Sequence, residues 1–481
     1  MLRDKLRDYQ LVAHDLMVKD KAFLEYDDMG LGKTLTTLAA LDTLEGYPCI
    51  IVVPKFGLMV WQSEIEKWLG EPSIIYSGKP KQREEQWKDF IKYGVRYLIT
   101  NYALLPEVAL RSGIAIKDSR TAIKTTTGTF KWKAIVWDEA HMGGLFNYKN
   151  STFKASAKFA KDIPIRYVLT GTPFRQGVVD LFGPLHLVNP IIFDSYWKYV
   201  NRFCTQIKGA FGTSIERNPS NVAAFREMLS RYMIRRLKEE VAKELPGKWR
   251  QPLYIEMNDE QRVVYDELTA QLIAEIPETG DILITPNQMT LQMRQRQLLA
   301  CPQVLGLKHR GAALDIIVEH SHTSLDDNKP IVIFTPFKKA VPYIEQAIHE
   351  EYPNAAIYKI TGGLTAEQFG KEWKDFQFQT HYKQRVLICV IKSGASFTAT
   401  AAAAAYYLGY EWDFNLNEQA EDRLNRIGQT QLVNIYYAMH RDTVDMEVAA
   451  RLNEKKSASD WVVGTQLQYM AKLKAVQGGK K

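Results

Sequence analysis

The stretch DDMGLGKT, Asp27 to Thr34, follows a short apolar run, Ala22 to Tyr26, and precedes a helical pattern, Thr34 to Leu44. Strand, glycine turn and helix in that order make an anion cradle. Gly30 and Gly32 let the backbone curl so that successive N–H groups face one phosphate, and the helix adds the positive end of its dipole. Lys33 is then placed to reach the β and γ phosphates of a nucleotide, and the Thr34 hydroxyl to complete a magnesium shell. The full G-x-x-x-x-G-K-[ST] spacing is not met, because Asp27 stands where its first glycine belongs. Taken alone, the stretch also reads as a glycine turn beside a solvated lysine.

A second stretch narrows the choice. Ala134 to Trp137 is an apolar run that ends in DEAH, Asp138 to His141. In a parallel sheet this puts two carboxylates at the carboxyl edge, where such sheets present their ligands. Asp138 would hold magnesium and Glu139 would polarise the attacking water. An acidic helix cap is the competing reading, but it leaves the phosphate loop without a metal partner. His141 reads as a relay to the next turn, LTGTP, in which Thr170 and Thr172 offer hydroxyls beside the acidic pair; local hydrogen bonding is its other reading. Near the far end lies QAEDRLNRIGQ, Gln419 to Gln429. Arg423 and Arg426, three apart, would share a helix face and point at one anion, unless that face is merely solvated.

Around these stretches the apolar runs recur at crossover spacing. Cys49 to Val53, Arg96 to Ile99 and Arg166 to Leu169 join those above, with helices expected over Thr34 to Leu44 and Trp61 to Leu69. Ile331 to Phe334, Ala356 to Ile360, Arg385 to Val390 and Val433 to Ala438 repeat the rhythm. The expected fold is α/β, with two parallel-sheet lobes and helical protrusions between them. Helices are expected over Ala224 to Leu237, Gln261 to Ile276 and Met289 to Leu299, and surface loops or hairpins over Ser112 to Phe130 and Ser321 to Lys329. Pro246 and Gly247 break the helical run, which sets the expected domains at 1–245, 246–305 (a helical linker or second protrusion) and 306–481.

At 481 residues and about 150 per domain, the chain holds roughly three units or two larger lobes, which excludes a disulfide-stapled miniprotein. Lys and Arg number 62 against 55 Asp and Glu, a net +7 that permits a polyanionic partner without demonstrating one. The four cysteines lie far apart, so neither a zinc knuckle nor a redox CxxC is expected. No segment approaches 18 consecutive apolar residues and the opening MLRDKLRDYQ lacks a secretion signal's apolar core. A cytoplasmic, non-membrane location is expected. Trp61 and Trp68, seven apart, read as core rather than as a base-stacking surface, and Trp373 with Phe376 as an apolar stripe against a sheet.

Taken in order, DDMGLGKT, VVPKFGLMVWQSEIEKW, DEAH, LTGTP, RYMIRRLKEEVAKELP, IVIFTPF and QAEDRLNRIGQ resemble the motor motifs of the Snf2-like family of superfamily 2 helicases, over Leu6 to about Thr443. The resemblance implies two RecA-like lobes that use ATP and Mg2+ to walk along double-stranded DNA, generally without separating strands. It implies that Gln10 reads the adenine, that Arg423 and Arg426 complete the site from the second lobe, and that Gln419 with His141, Thr170 and Thr172 couples nucleotide to movement. It places Lys55, Asn101, Lys149, Arg235, Arg236, Lys392 and Ser393, with the loop at Gly394, along the DNA. Branch remodelling or strand annealing at forks, junctions and recombination loops is the rival enzyme reading; an ATP-switched DNA scaffold is the non-enzymatic one. A compact, monomeric, bacterial or phage-type motor in repair or recombination is expected by resemblance.

Three departures stand out. MGGLFNY intervenes between DEAH and the pair Lys149 and Asn150. KSGASFTATAAAAAYY replaces a glycine-rich, leucine–asparagine–leucine segment, and GYEWDFNLNEQA keeps Trp412 and Asn415 but lacks the usual proline.

Overall fold

Runs such as CIIVV, buried at every position, belong to strands covered on both faces, which is why they read as continuous apolar stretches rather than alternating ones. A computed structural model describes residues 2–114, 130–174, 177–209, 212–241, 246–275, 282–285, 287–393, 397–426 and 428–449. Gly394 and most of Ser112 to Phe130 lie outside the described residues. The chain divides into two units near residue 244.

The first unit is built on strands β1 (Ala22–Glu25), β2 (Cys49–Val53), β3 (Ser73–Tyr76), β4 (Tyr97–Asn101), β5 (Ala134–Trp137) and β6 (Ile165–Leu169). A hairpin, β7 (Cys204–Gly209) and β8 (Gly212–Pro219), stands apart, and β9 (Met233–Ile234) closes the sheet. The sheet order is β3-β4-β2-β5-β6-β1-β9, and every pairing is parallel. Alternate side chains feed two cores. Ile50 and Val52 pack on one face with Trp87, Phe90 and Trp132, and Cys49, Ile51 and Val53 pack on the other with Trp61 and Ile65.

The second unit holds β10 (Lys248–Ile255), a two-stranded ribbon of β11 (Ile273–Glu275) and β12 (Ile282–Ile284), then β13 (Ile331–Thr335), β14 (Ala356–Ile360), β15 (Arg385–Val390), β16 (Ala404–Tyr407) and β17 (Val433–His440). Its main sheet runs β10-β17-β16-β13-β15-β14, again parallel throughout. Phe376 is buried against this sheet and Trp373 packs beside it, its Nε1 donating to Thr398 O at 2.7 Å. All four cysteines are free and buried.

Three expectations need correction. The helix expected to Leu237 stops at Leu229, because Met233 and Ile234 instead pair with Leu24 and Glu25. The helix expected to Ile276 ends at Gln271, where Leu272 turns left-handed and Ile273 enters the ribbon. Ser321 to Leu325 is not loop but the end of the helix Ala312–Leu325, in which Ser321 and Leu325 are buried. No helix among the described residues is long and apolar enough to cross a membrane.

Candidate nucleotide site

The order β5-β6-β1 sets three chain crossings side by side. β1 leads into DDMGLGKT, β5 into DEAH and β6 into LTGTP, all at the carboxyl edge of the first sheet. Hydrogen bonds lace them together: Thr170 N donates to Glu25 O at 3.2 Å, and Ala140 N to Leu169 O at 3.2 Å. Gly171 is a glycine for the same reason, since a Cβ there would stand 2.7 Å from Met29 Cγ.

The phosphate loop bends through Gly30 (φ +80°) and Gly32 (φ +79°), left-handed conformations that cost other residues energy. At Gly32 a Cβ would also lie 2.3 Å from Gln10 Nε2. Gln10 is spent on the loop's geometry, its Nε2 donating to Leu31 O at 2.9 Å and its Oε1 accepting from Arg7 N at 3.0 Å. Lys33 opens the helix Lys33–Thr43, and its ammonium folds back onto Asp27 O (2.6 Å) and Asp28 O (3.1 Å). Thr34, the next residue, is half-buried.

Asp27, which breaks the glycine spacing, is buried and gripped by Arg236. The Arg236 Nε lies 3.0 and 3.1 Å from the two carboxylate oxygens, and its Nη groups bond Asp27 and Tyr9 O. Main chain reinforces the clamp, with Asp28 N donating to Arg236 O at 3.0 Å and Lys238 N to Asp28 Oδ2 at 3.1 Å. Beneath the loop lies the buried Glu25, within 3.4 Å of the Thr37 hydroxyl. Burial, aided by Asp27, pushes the Glu25 carboxyl up to about 8, against the pull of Arg236 and Lys33.

In DEAH, both Asp138 oxygens have donors: Trp61 Nε1 at 2.8 Å from Oδ2 and Glu139 N at 2.9 Å from Oδ1. Tyr102 OH donates to Asp138 O at 2.6 Å. Glu139 has φ +49°, a left-handed conformation that costs a side-chain-bearing residue about 1–3 kcal/mol. His141 is buried, its Nδ1 2.7 Å from Thr170 Oγ1 and 3.4 Å from Glu139 Oε2. Thr172 N in turn donates to Thr170 Oγ1 at 3.0 Å. His141 Nδ1 therefore stands between the Glu139 carboxylate and the LTGTP turn. Sequence reasoning passed over Tyr102 and Tyr9 and gave Trp61 only a core role and Arg236 a DNA role, because each reaches its partner here from a distant part of the chain.

MGGLFNY forms a tight turn on Tyr102: a Cβ on Gly143 would fall 2.2–2.6 Å from ring atoms. Asn150 then caps the helix Ser151–Phe159, accepting from Thr152 N at 2.9 Å. Lys149 is exposed, 5.8 Å from the Tyr148 ring centroid. Lys55 is exposed in the turn after β2, and Asn101, which pairs with Val53, caps its own turn through Ala103 N and Leu104 N. Arg235 and Arg236 are buried, 5% and 4% exposed, so the surface contact expected of them has no exposed guanidinium in this arrangement.

In the second unit, Gln419 is buried on the helix Phe414–Glu421. Arg423 and Arg426 do not share a helix face, because the helix ends at Glu421 and the chain tightens into turns, Arg423 N bonding Ala420 O and Leu424 N bonding Glu421 O. Arg423 O accepts from Ala399 N at 2.8 Å, and Arg426 Nη1 donates to Thr398 Oγ1 at 3.2 Å. Lys392 is 3.0 Å from Glu411, and Ser393 is half-buried.

The family profile described as the SNF2-related domain matches residues 17–304. The chain belongs to the SNF2-related family. Its enzyme class is that of the ATP-binding and ATP-hydrolysing helicase domains. Human "DNA annealing helicase and endonuclease ZRANB3" is 28% identical over 464 residues, covering 95% of this chain and 40% of that protein. An "Uncharacterized ATP-dependent helicase" of Mycoplasma pneumoniae is 25% identical over 440 residues, covering 89% and 39%. The chain thus spans about two fifths of the length of these relatives. Relatives from mycoplasmas, a plant and animals do not single out a bacterial or phage lineage. The Sulfolobus solfataricus SWI2/SNF2 ATPase core in complex with dsDNA is 23% identical, with a TM-score of 0.43, covering 94% of this chain and 91% of that one.

Proposed function

We propose that the chain is an ATP-driven DNA motor whose output is the remodelling or annealing of branched duplexes. The observation that carries the motor reading is the meeting of the phosphate loop, DEAH and LTGTP at one sheet edge, with His141 between Glu139 and Thr170. The alignment of ZRANB3 along 95% of the chain favours annealing over plain duplex walking.

The residues fit ATP with Mg2+. Gly30 and Gly32 keep the loop free of side chains, and the Thr34 hydroxyl and Asp138 carboxylate are the hard oxygen donors magnesium prefers. When bound, the pair supplies the phosphoryl group to be cleaved and a cation that offsets its charge. Lys33, now on the Asp27 and Asp28 carbonyls, would be the residue to hold phosphate oxygens, Gln10 would lie at the adenine side, and Glu139 would orient water. Arg423 and Arg426 would add the positive charge that the family resemblance assigns to them. Lys55, Asn101, Lys149, Lys392 and Ser393 are the backbone-directed DNA contacts of this reading.

The test is ATP turnover and product analysis on single-stranded, duplex, forked and four-way DNA. Turnover stimulated by branched duplex, together with ATP-dependent annealing of complementary strands, is expected. Triplex displacement without annealing would replace this reading with plain duplex translocation. DNA binding with negligible turnover would replace it with a switched scaffold.

A further inference from the structure

The chain enters the second unit at Pro246 and Gly247, the first tied to the arginine segment and the second to the start of β17. Asn425 Nδ2 donates to Pro246 O at 2.8 Å, and Val433 N to Gly247 O at 3.3 Å. Strand β10 follows at once, and its alternation puts Lys248 and Arg250 on one side. Both reach the end of the helix Phe414–Glu421. Lys248 Nζ lies 3.0 Å from Glu421 and 2.8 Å from Asp422. Arg250 forks onto Glu421 with contacts of 2.5 to 3.1 Å, and Tyr437 OH also donates to that carboxylate.

Glu421 is 2% exposed. Burial alone would raise its carboxyl, yet Lys248 and Arg250 hold it below the usual carboxylate range, so the cluster is charged. A buried ionic cluster of this kind adds little stability over an apolar packing of the same volume. What a forked guanidinium–carboxylate contact adds is a fixed register. Glu421 and Asp422 directly precede Arg423, so that register is the arginines' own. On the first unit's side, just before the connection, the Arg236 guanidinium grips Asp27 of the phosphate loop and the Lys238 main-chain N–H donates to Asp28.

We propose that Lys248 and Arg250 are positioning residues for Arg423 and Arg426, locking the arginine turn to the chain that enters the second unit so that the two move as one piece. The proposal rests on the reading of Arg423 and Arg426 as nucleotide-facing residues and adds a role for β10.

The experiment measures steady-state ATPase kinetics of the full chain carrying Lys248→Ala, Arg250→Ala, Arg250→Lys, Glu421→Arg, the swap Arg250→Glu with Glu421→Arg, and Arg423→Ala or Arg426→Ala as references. A misplacement of about 1 Å costs about 100-fold, so kcat in the two alanine variants is expected to fall about 10- to 100-fold. KM for ATP should stay within about twofold, since the loop that holds ATP is in the other unit. Arg250→Lys keeps the charge and loses the fork, and should fall between. The swap should recover kcat relative to Glu421→Arg alone. Wild-type kcat in the folded fraction of Lys248→Ala and Arg250→Ala, or a swap that recovers thermal stability but not kcat, overturns the positioning role. If Arg423→Ala and Arg426→Ala themselves keep full kcat, the nucleotide-facing reading fails instead.

Discussion

Replacing Trp61 with Phe removes a single donor from the site. The indole Nε1 is 2.8 Å from Asp138 Oδ2, and Glu139 N lies 2.9 Å from the other carboxylate oxygen. A hydrogen bond to a charged group contributes roughly 1.5–3 kcal/mol. At about 1.4 kcal/mol per tenfold, its loss predicts roughly a 10- to 100-fold weakening of magnesium dependence or turnover, the range seen when groups behind a metal ligand are removed. Phe also leaves part of the indole volume empty, at about 1–2 kcal/mol of fold stability. Ile65→Val separates the two effects. Ile65 lies on the same helix, Leu58–Leu69, and in the same core, and its truncation costs about 0.5–1.5 kcal/mol without touching Asp138. The assay is ATP turnover against free Mg2+ at a temperature where both variants are folded. A magnesium midpoint and kcat unchanged in Trp61→Phe, or shifted equally in Ile65→Val, would refute the reasoning.

Glu25, pushed up to about 8 from an ordinary 4.5, keeps its proton in the fold when the unfolded chain has lost it. Its contribution to stability is therefore complete below the ordinary value and is lost as pH rises towards 8. Denaturation midpoints of Glu25→Gln should gain on wild type across that window, and a constant difference would count against burial as the cause. Arg236→Ala strands the buried Asp27 and should cost about 3–5 kcal/mol in denaturant unfolding, much of it recovered by adding Asp27→Asn; a loss under about 1 kcal/mol would show that the clamp is idle. Gly143→Ala drives a methyl into the Tyr102 ring and should cost about 1–3 kcal/mol while lowering ATP turnover. Wild-type stability in that variant would mean that the turn after DEAH yields freely.

Elements with continuous apolar runs were legible: β2, β5 and β15 stand where the sequence placed them, because central parallel strands are apolar on both faces, and the partly buried edge strand β14 also stands where it was expected. The strands that escaped are those whose identity depends on a neighbour. β3 is four residues long and only Tyr76 in it is fully buried. β10, KWRQPLYI, carries Pro252 and two cations, an edge-strand composition that is indistinct from loop until β17 lies beside it. β16 hides in an alanine-rich tract and becomes a strand between β13 and β17. In RYMIRR the helical period continues past Leu229, but pairing of Met233 and Ile234 with β1 overrides it.

The same divide runs through the site. DDMGLGKT and DEAH are contiguous, so their chemistry is written locally; Trp61, Tyr102 and Arg236 meet their partners across 77, 36 and 209 residues. Arg236 is the instructive case, for read by itself beside Arg235 it is a surface cation suited to DNA. The missing term was Asp27. A carboxylate in the first position of a loop that must accept a polyanion is repulsive to its own ligand unless a fixed cation neutralises it, and Lys33 cannot serve both. The sequence therefore demanded a second cation near the loop, and β9 supplies it by closing the sheet beside β1 and carrying Arg236 to Asp27. If this compensation is real, Asp27→Gly, which restores the uninterrupted glycine spacing, should leave Arg236 as a surplus positive charge and tighten nucleotide binding at the expense of fold stability. A variant that loses both would show that Asp27 holds the loop's shape as well as its charge.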